Sequence, residues 1–344
     1  MNTKENDLFA DAAREVLNAQ CTPAVVRAIE AGGRDAAATQ ALWAQLEAIG
    51  LPDALLSENQ GGSGLGLGQV FGVLEQCGAH ALPLPLAETM VARALLAQSG
   101  TACGAGSIAF AQGQALADGS WHCPLVRQGA LAEAVLVQTP SAWRLLKVDQ
   151  AHRSDHADVH DAALTWSSAQ VHAAPVVAVD AELQVRNLQA AVTAAQMAGA
   201  LLQVFQRTLQ YANDRQQFGR SIGKFQAIQH QLAVMSEHVF AARMAAQLGC
   251  SGDGVRPDRL RVATAKARCS EATLIVAELA HAIHGAIGFT EEYDLQLFTR
   301  RLHAWRQTAG SEAYWHAVAG EALLAHEGMT LDMVRRITDV AAAH

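Results

Sequence analysis

The sequence predicts a mostly α-helical protein interrupted by one small central β domain, and three observations carry that prediction. Alanine and leucine dominate a chain that is 51% hydrophobic but only 5% aromatic, a composition that favours helix. Apolar residues recur at helical spacing in the C-terminal half, as in Ile228, Leu232, Met235 and Val239. In the middle the period shortens to runs of β-branched and aromatic residues bounded by Gly, Pro, Ser and Asp.

At 344 residues the chain exceeds the usual single core, so two or three packed subdomains are expected. Residues 1–100 read as a helical domain, with helices near 6–19, 36–49, 67–79 and 87–99. The glycine-rich stretch "SENQGGSGLGLGQ" lacks the Lys-Ser/Thr of a phosphate-cradling loop and reads as a turn that needs positive backbone dihedrals. In "ALPLPLAET" the prolines make an extended turn before the next helix. Residues 101–184 form the β domain, with strands at "SIAFAQ", "EAVLVQT", "AWRLLKV" and "APVVAVD". Residues 185–344 read as a bundle of long helices. "GCSGDGVRPD" breaks it, Pro257 and Asp258 open a new helix, and Ile275, Leu279 and Ile283 mark that helix's apolar face.

The net charge of −8 argues against a nucleic-acid surface, which needs clustered Lys and Arg. There is no uninterrupted run of 18 apolar residues and no charged-then-apolar leader, so a soluble, cytoplasmic protein without a membrane partner is expected. Six cysteines lie scattered without a CxxC, as reduced thiols do. His281 and His284 have a spacing that can hold a metal. No second cluster accompanies them, so plain helix histidines and no metal site are expected.

The stretch "YANDRQQFGRSIGKFQAIQHQLA" (211–233) breaks a helical pattern with Arg-Gln-Gln-Phe-Gly and then resumes it. A helix that only filled a core would not need that arginine, those glycines or those paired glutamines. Together with "HGAIGFTEEYDLQLFTRR" (284–301) and the order helices, small β, helices, it resembles the acyl-CoA dehydrogenase family of flavoproteins. The second stretch looks like the version in bacterial members that assemble as heteromers. The resemblance implies an N-terminal helical domain, a β-barrel-like middle domain and a C-terminal four-helix bundle. It implies FAD, an acyl-CoA substrate, an electron-transfer flavoprotein and a homo- or hetero-oligomer, dimer or tetramer.

By that resemblance Arg215 holds the FAD pyrophosphate of a neighbouring subunit and Phe218 packs near the adenine. Guanidinium suits phosphate because it offers parallel hydrogen bonds. Gly219 and Gly223 let the chain turn between helices, and Gln226 contacts the nucleotide. By the same resemblance the second stretch, with His284, Gly285 and Gly288, covers the same FAD from another subunit, the glycines letting backbone approach the nucleotide. Here Ala282 and Ala286 depart from residues common in relatives. Plainer readings stay open: Arg215 as a surface arginine at a helix C-terminus, and the two glycines as helix caps and packing residues.

The chemistry of the family needs a carboxylate to take the α-proton. Counting on from Arg300, the usual glutamate position is Ala309 in "WRQTAGSEAYW". A smaller group of relatives places it on the first long C-terminal helix, where this chain has Gln189 and Ala190. An arginine that contacts the thioester cofactor also falls at Ala190, with Arg186 one turn earlier as a substitute. No Thr-Glu-Pro-like flavin contact is found, and "FAQGQALADG" stands in its place. Glu312 is the nearest acid, although its plainer role is at a helix N-terminus. Glu291 and Glu292 are not expected as bases. The catalytic residue is therefore unassigned.

The resemblance implies α,β-dehydrogenation of an acyl-CoA to the 2-enoyl-CoA, with this chain as the base-lacking partner in a heteromeric enzyme. Relatives of that kind act in bacterial breakdown of steroids and other bulky acids. The alternatives are a self-sufficient dehydrogenase with a non-standard base and a flavin-free scaffold on the same fold.

Overall fold

The structure, a computed structural model, describes residues 3–155 and 160–339. Five helices come first: α1 (Thr3–Gln20), α2 (Pro23–Gly32), α3 (Ala37–Ala48), α4 (Phe71–Ala79) and α5 (Leu86–Gln98). Helix α2 is not among the expected helices, yet its start is signalled. Thr22 accepts from the Val25 N–H, and Pro23 occupies the first helical position. On α5 every residue from Leu86 to Leu96 is buried. One of them is Arg93, whose guanidinium donates to Asp53 at 2.9 Å, Glu47 at 2.8 Å and the Gly106 carbonyl at 3.0 Å. A buried charge persists only when paired in this way.

The middle segment comprises β1 (Ile108–Gln112), β2 (Gln114–Ala115), β3 (Trp121–Val126), β4 (Ala134–Gln138), β5 (Trp143–Lys147), β6 (His152–Asp155), β7 (Ala162–Trp166), α6 (Ser168–Ala173) and β8 (Val176–Val177). They form two four-stranded sheets, ordered β1-β4-β5-β8 and β2-β3-β7-β6. Ala109, Val135, Val137 and Leu146 from the first sheet share one core with Trp121, Cys123, Leu164 and Trp166 from the second. Trp166 also donates its indole N–H to the Lys147 carbonyl at 2.7 Å. Two sheets around a common core stand where the resemblance suggests a barrel-like domain. The expected strand in "APVVAVD" shrinks to Val176–Val177. Four further strands, β2, β3, β6 and β7, were not expected.

The C-terminal part is helical: α7 (Val185–Asp214), α8 (Gln226–Gly249), α9 (Arg259–His284), α10 (Leu295–Gln307), α11 (Glu312–Leu324) and α12 (Thr330–Thr338). Short paired strands join α7 to α8 (β9, Gln216–Gln217; β10, Arg220–Ser221) and α8 to α9 (β11, Gly252–Asp253; β12, Arg256–Pro257). As expected, α9 opens at Asp258, whose carboxylate accepts from the Leu260 and Arg261 N–H groups. Met235 and Val239 are fully buried on α8. On α9 the expected stripe is partly rotated. Ile283 is buried as expected, but Ile275 and Leu279 are half-buried, while Ala272, Val276, Ala277 and Ala280 face the core. Small side chains there let α9 pack closely against α8, α10 and α11.

By packing, the chain sorts into two compact units, and the one built on the C-terminal helices also takes in Leu74–Ala81. Within that unit α4 crosses α7 with almost nothing between their backbones. A Cβ on Gly78 would stand 1.7 Å from the Gln196 carbonyl oxygen, and one on Gly199 would stand 1.8 Å from that of Glu75. Arg243 on α8 donates to both oxygens of Glu75, fixing the same crossing. The helical stretches Val185–Asp214 and Arg259–Phe289 have the length and composition to cross a bilayer, and 78% and 44% of an apolar 18-residue window in each is buried inside the protein.

Candidate functional site

The break after α7 is a tight hairpin. The Arg215 N–H still donates to the Tyr211 carbonyl at 2.9 Å, and Ile222 returns a hydrogen bond to the Arg215 carbonyl at 2.8 Å. In between, Arg220 pairs with Gln217 and Ser221 with Gln216. The two-residue loop is Phe218-Gly219, with φ of +51° and +76°. Positive φ at both positions is the type I′ hairpin geometry, which normally selects Asn, Asp or Gly at the first. A phenylalanine held there costs roughly 1–2 kcal/mol. Its ring is also 92% exposed. Strain and an apolar ring in solvent are thus combined in one residue.

Arg215 is exposed, and among the described residues its guanidinium makes no ion pair. Gln226, the first residue of α8, is exposed too. Gly223 has a packing reason, since a Cβ would meet the Ala212 carbonyl oxygen at 3.1 Å. Arg215, Phe218 and Gly219 thus share one projecting hairpin, with Gln226 opening the helix that follows.

His284 is used differently. It ends α9, is buried, and its Nδ1 lies 2.7 Å from the Ala280 carbonyl oxygen. That contact requires Nδ1 to donate, which leaves Nε2 to accept from the Tyr293 hydroxyl at 3.2 Å. Its ring stacks on Tyr211 at 4.3 Å, and the Tyr211 hydroxyl donates to its carbonyl. Burial pushes the imidazole below the usual histidine range. The two sequence stretches therefore meet within one chain, through a tyrosine one turn before Arg215 that the sequence reading did not single out. Gly285 caps α9 at φ +64° and Gly288 packs on His284 and Leu295, so the plainer reading of both glycines has a structural basis. His281 stacks on Phe289 and hydrogen-bonds Thr299, so the two histidines engage separate partners. Among the described residues no group of three or more His, Cys, Asp or Glu side chains is arranged for a metal ion.

The turn at Ala309 is braced rather than loose. Ala309 has φ +58° and Gly310 has φ +112°. Beneath it lies Lys266, fully buried, whose ammonium donates to the Arg306 carbonyl at 2.9 Å, the Gly310 carbonyl at 3.0 Å and the Ser270 hydroxyl at 3.0 Å. Arg306 in turn donates from Nε and Nη2 to the two Glu312 oxygens. Those bonds hold the Glu312 carboxyl below the usual carboxylate range, making it a poor base. At the other base position, Gln189 donates to the Phe110 carbonyl and Ala190 is buried. Arg186 donates to Gln112 at 2.8 Å.

Models of two domains of one family match the chain: the acyl-CoA dehydrogenase C-terminal domain over residues 183–324, and its N-terminal domain over residues 3–103. Acyl-CoA dehydrogenase IpdE2 of Mycobacterium tuberculosis is 27% identical over 308 residues, covering 88% of this chain and 92% of the relative. In fold, the chain is similar to the ChsE4–ChsE5 complex from Mycobacterium tuberculosis, with a TM-score of 0.81 at 21% identity over 95% of this chain and 99% of that one. It is also similar to a variant of the Tcur3481–Tcur3483 steroid ACAD, with a TM-score of 0.79 at 24% identity over 93% and 98%. On these matches and this architecture, the chain belongs to the acyl-CoA dehydrogenase family, a family of FAD-dependent oxidoreductases.

Proposed function

We propose that the chain is the base-lacking subunit of a heteromeric acyl-CoA dehydrogenase, and that it lends its hairpin to FAD bound mainly by a partner chain. One contrast carries this reading. The hairpin of Arg215 and Phe218 is intact and strained outward, whereas Ala309 offers only a methyl group and the neighbouring Glu312 is tied to Arg306. The residues fit the cofactor. An exposed guanidinium suits a pyrophosphate, an exposed aromatic ring suits adenine, and nothing lies within 4 Å of where a Gly219 Cβ would sit.

FAD, when bound, supplies the hydride acceptor for α,β-dehydrogenation of an acyl-CoA to its 2-enoyl-CoA. Arg215 neutralises phosphate charge, Phe218 covers the base, and Gln226 offers an amide to the nucleotide. The α-proton goes to a carboxylate of the partner. Two fold neighbours, a complex of two chains and a steroid ACAD, support a heteromer acting on bulky acyl-CoA thioesters. Dimeric or tetrameric assembly, a cytoplasmic setting and an electron-transfer flavoprotein as electron acceptor complete the proposal.

The test is the visible spectrum of the purified chain, alone and with its captured partner, before and after anaerobic addition of acyl-CoA thioesters. Flavin that a thioester bleaches only in the complex supports the proposal. Bleaching by the chain alone means a self-sufficient enzyme with a base elsewhere. A complex without flavin means a scaffold.

A further inference from the structure

Phe225, the residue before α8, has an aromatic ring with two neighbours. The Arg220 guanidinium lies over it, 4.3 Å from the ring centroid. Phe218 meets it with ring planes at 90° and centroids 6.2 Å apart. The backbone beneath is closed, because the Phe225 N–H donates to the Ile222 carbonyl at 3.0 Å and Ile222 is bonded to Arg215.

These contacts form a chain of constraint running from a cation to an exposed ring. A cation over an aromatic face is attracted by the ring quadrupole, and a planar guanidinium stacks there as an ammonium does not. Arg220 thereby fixes Phe225, and Phe225 props Phe218. Phe218 gains little burial from this, since it stays 92% exposed. A device that orders a ring while leaving it in solvent stabilises the fold poorly. It does lower the entropy that the ring would lose when something docks on it.

We propose that Arg220 and Phe225 are positioning residues for the flavin nucleotide: a preset platform that holds Phe218 in the orientation that receives the adenine. Arg220 also places a second positive charge on the hairpin that carries Arg215. This rests on the reading of the hairpin as an FAD contact.

The test uses the flavin-containing complex and four variants: Arg215→Ala, Arg220→Gln, Arg220→Lys and Phe225→Leu. FAD dissociation is followed by flavin fluorescence, and amide hydrogen exchange across residues 216–223 is followed in the free chain. Arg220→Gln is expected to weaken FAD about two- to fivefold, the range of an exposed cation–π contact. Phe225→Leu is expected to weaken it in the same direction. Both should speed exchange in the hairpin without lowering the melting temperature, and Arg220→Lys should fall between Arg220→Gln and the parent. If Arg215→Ala weakens FAD while the Arg220 and Phe225 variants do not, the platform is overturned and the cofactor reading stands. If none of the four weakens FAD, both fall.

Discussion

Arg306 closes on Glu312 across the turn that holds Ala309, so the carboxylate three residues beyond Ala309 is already engaged. The bonds from Arg306 keep the Glu312 carboxyl below the usual carboxylate range. A lowered pKa adds stability that is fully present above the unfolded value of about 4.3 and is lost as the pH falls through the folded value. Glu312→Gln should therefore melt below the parent at pH 7, with the gap closing in acid. A melting series from pH 7 to pH 3 checks this. An equal gap at every pH would contradict it.

Ala309 occupies a left-handed conformation without a side chain that favours it. Ala309→Gly should raise stability by about 1 kcal/mol, and Ala309→Val should lower it. Denaturant unfolding of the two variants separates backbone strain from packing, because only strain makes the smaller residue the better one.

Lys266 is the bolt under that turn. Lys266→Met keeps most of the volume but strips the donor from the carbonyls of Arg306, in the last turn of α10, and of Gly310, in the turn itself. We expect a loss of about 2–4 kcal/mol in denaturant unfolding. A loss under about 1 kcal/mol would mean that the carbonyls find other donors.

Burial lowers the pKa of His284, and of His281 and His303 as well. The unfolded chain then binds protons first, so stability should fall as the pH drops from about 6.5 through the folded values. Melting between pH 8 and pH 5 measures the slope. His284→Gln should flatten it, and an unchanged slope would remove His284 from the account.

Arg215→Ala should weaken FAD in the assembled complex by about 1.5–3 kcal/mol, roughly ten- to hundredfold. Flavin released on dilution reports it. Unchanged retention would sink the assignment of Arg215 to the pyrophosphate.

The sequence made the long helices and the hairpin motif readable, because Met235 and Val239 keep strict helical spacing and Arg215-x-x-Phe218-Gly219 stands out from an alanine-rich background. The strands that escaped have physical reasons. Pro124 interrupts β3, and the alanines of β7 carry no strand preference. The rotated face of α9 was hidden for a related reason: alanine packs where the larger Ile275 and Leu279 were expected to. Three features of the site were not legible at all. Lysine is rarely buried, so Lys266 gave no warning. The sign of φ at Phe218 and Ala309 is set by the turn, not by their side chains. The ring contact of Phe218 with Phe225 spans residues of different elements and depends on the hairpin register.

The backbone crossing at Gly78 and Gly199 has a consequence for how the chain is divided. A fragment beginning at Val185 would carry every C-terminal helix and still be short of a whole unit, since Leu74–Ala81 would be missing. The groove at Gly199 would open to water along main-chain atoms, and Arg243 would lose the carboxylate of Glu75. Boundaries drawn along the chain therefore differ from boundaries drawn through space. Swapping C-terminal halves between relatives would transplant an unfinished body, unless the short segment from α4 travelled with it.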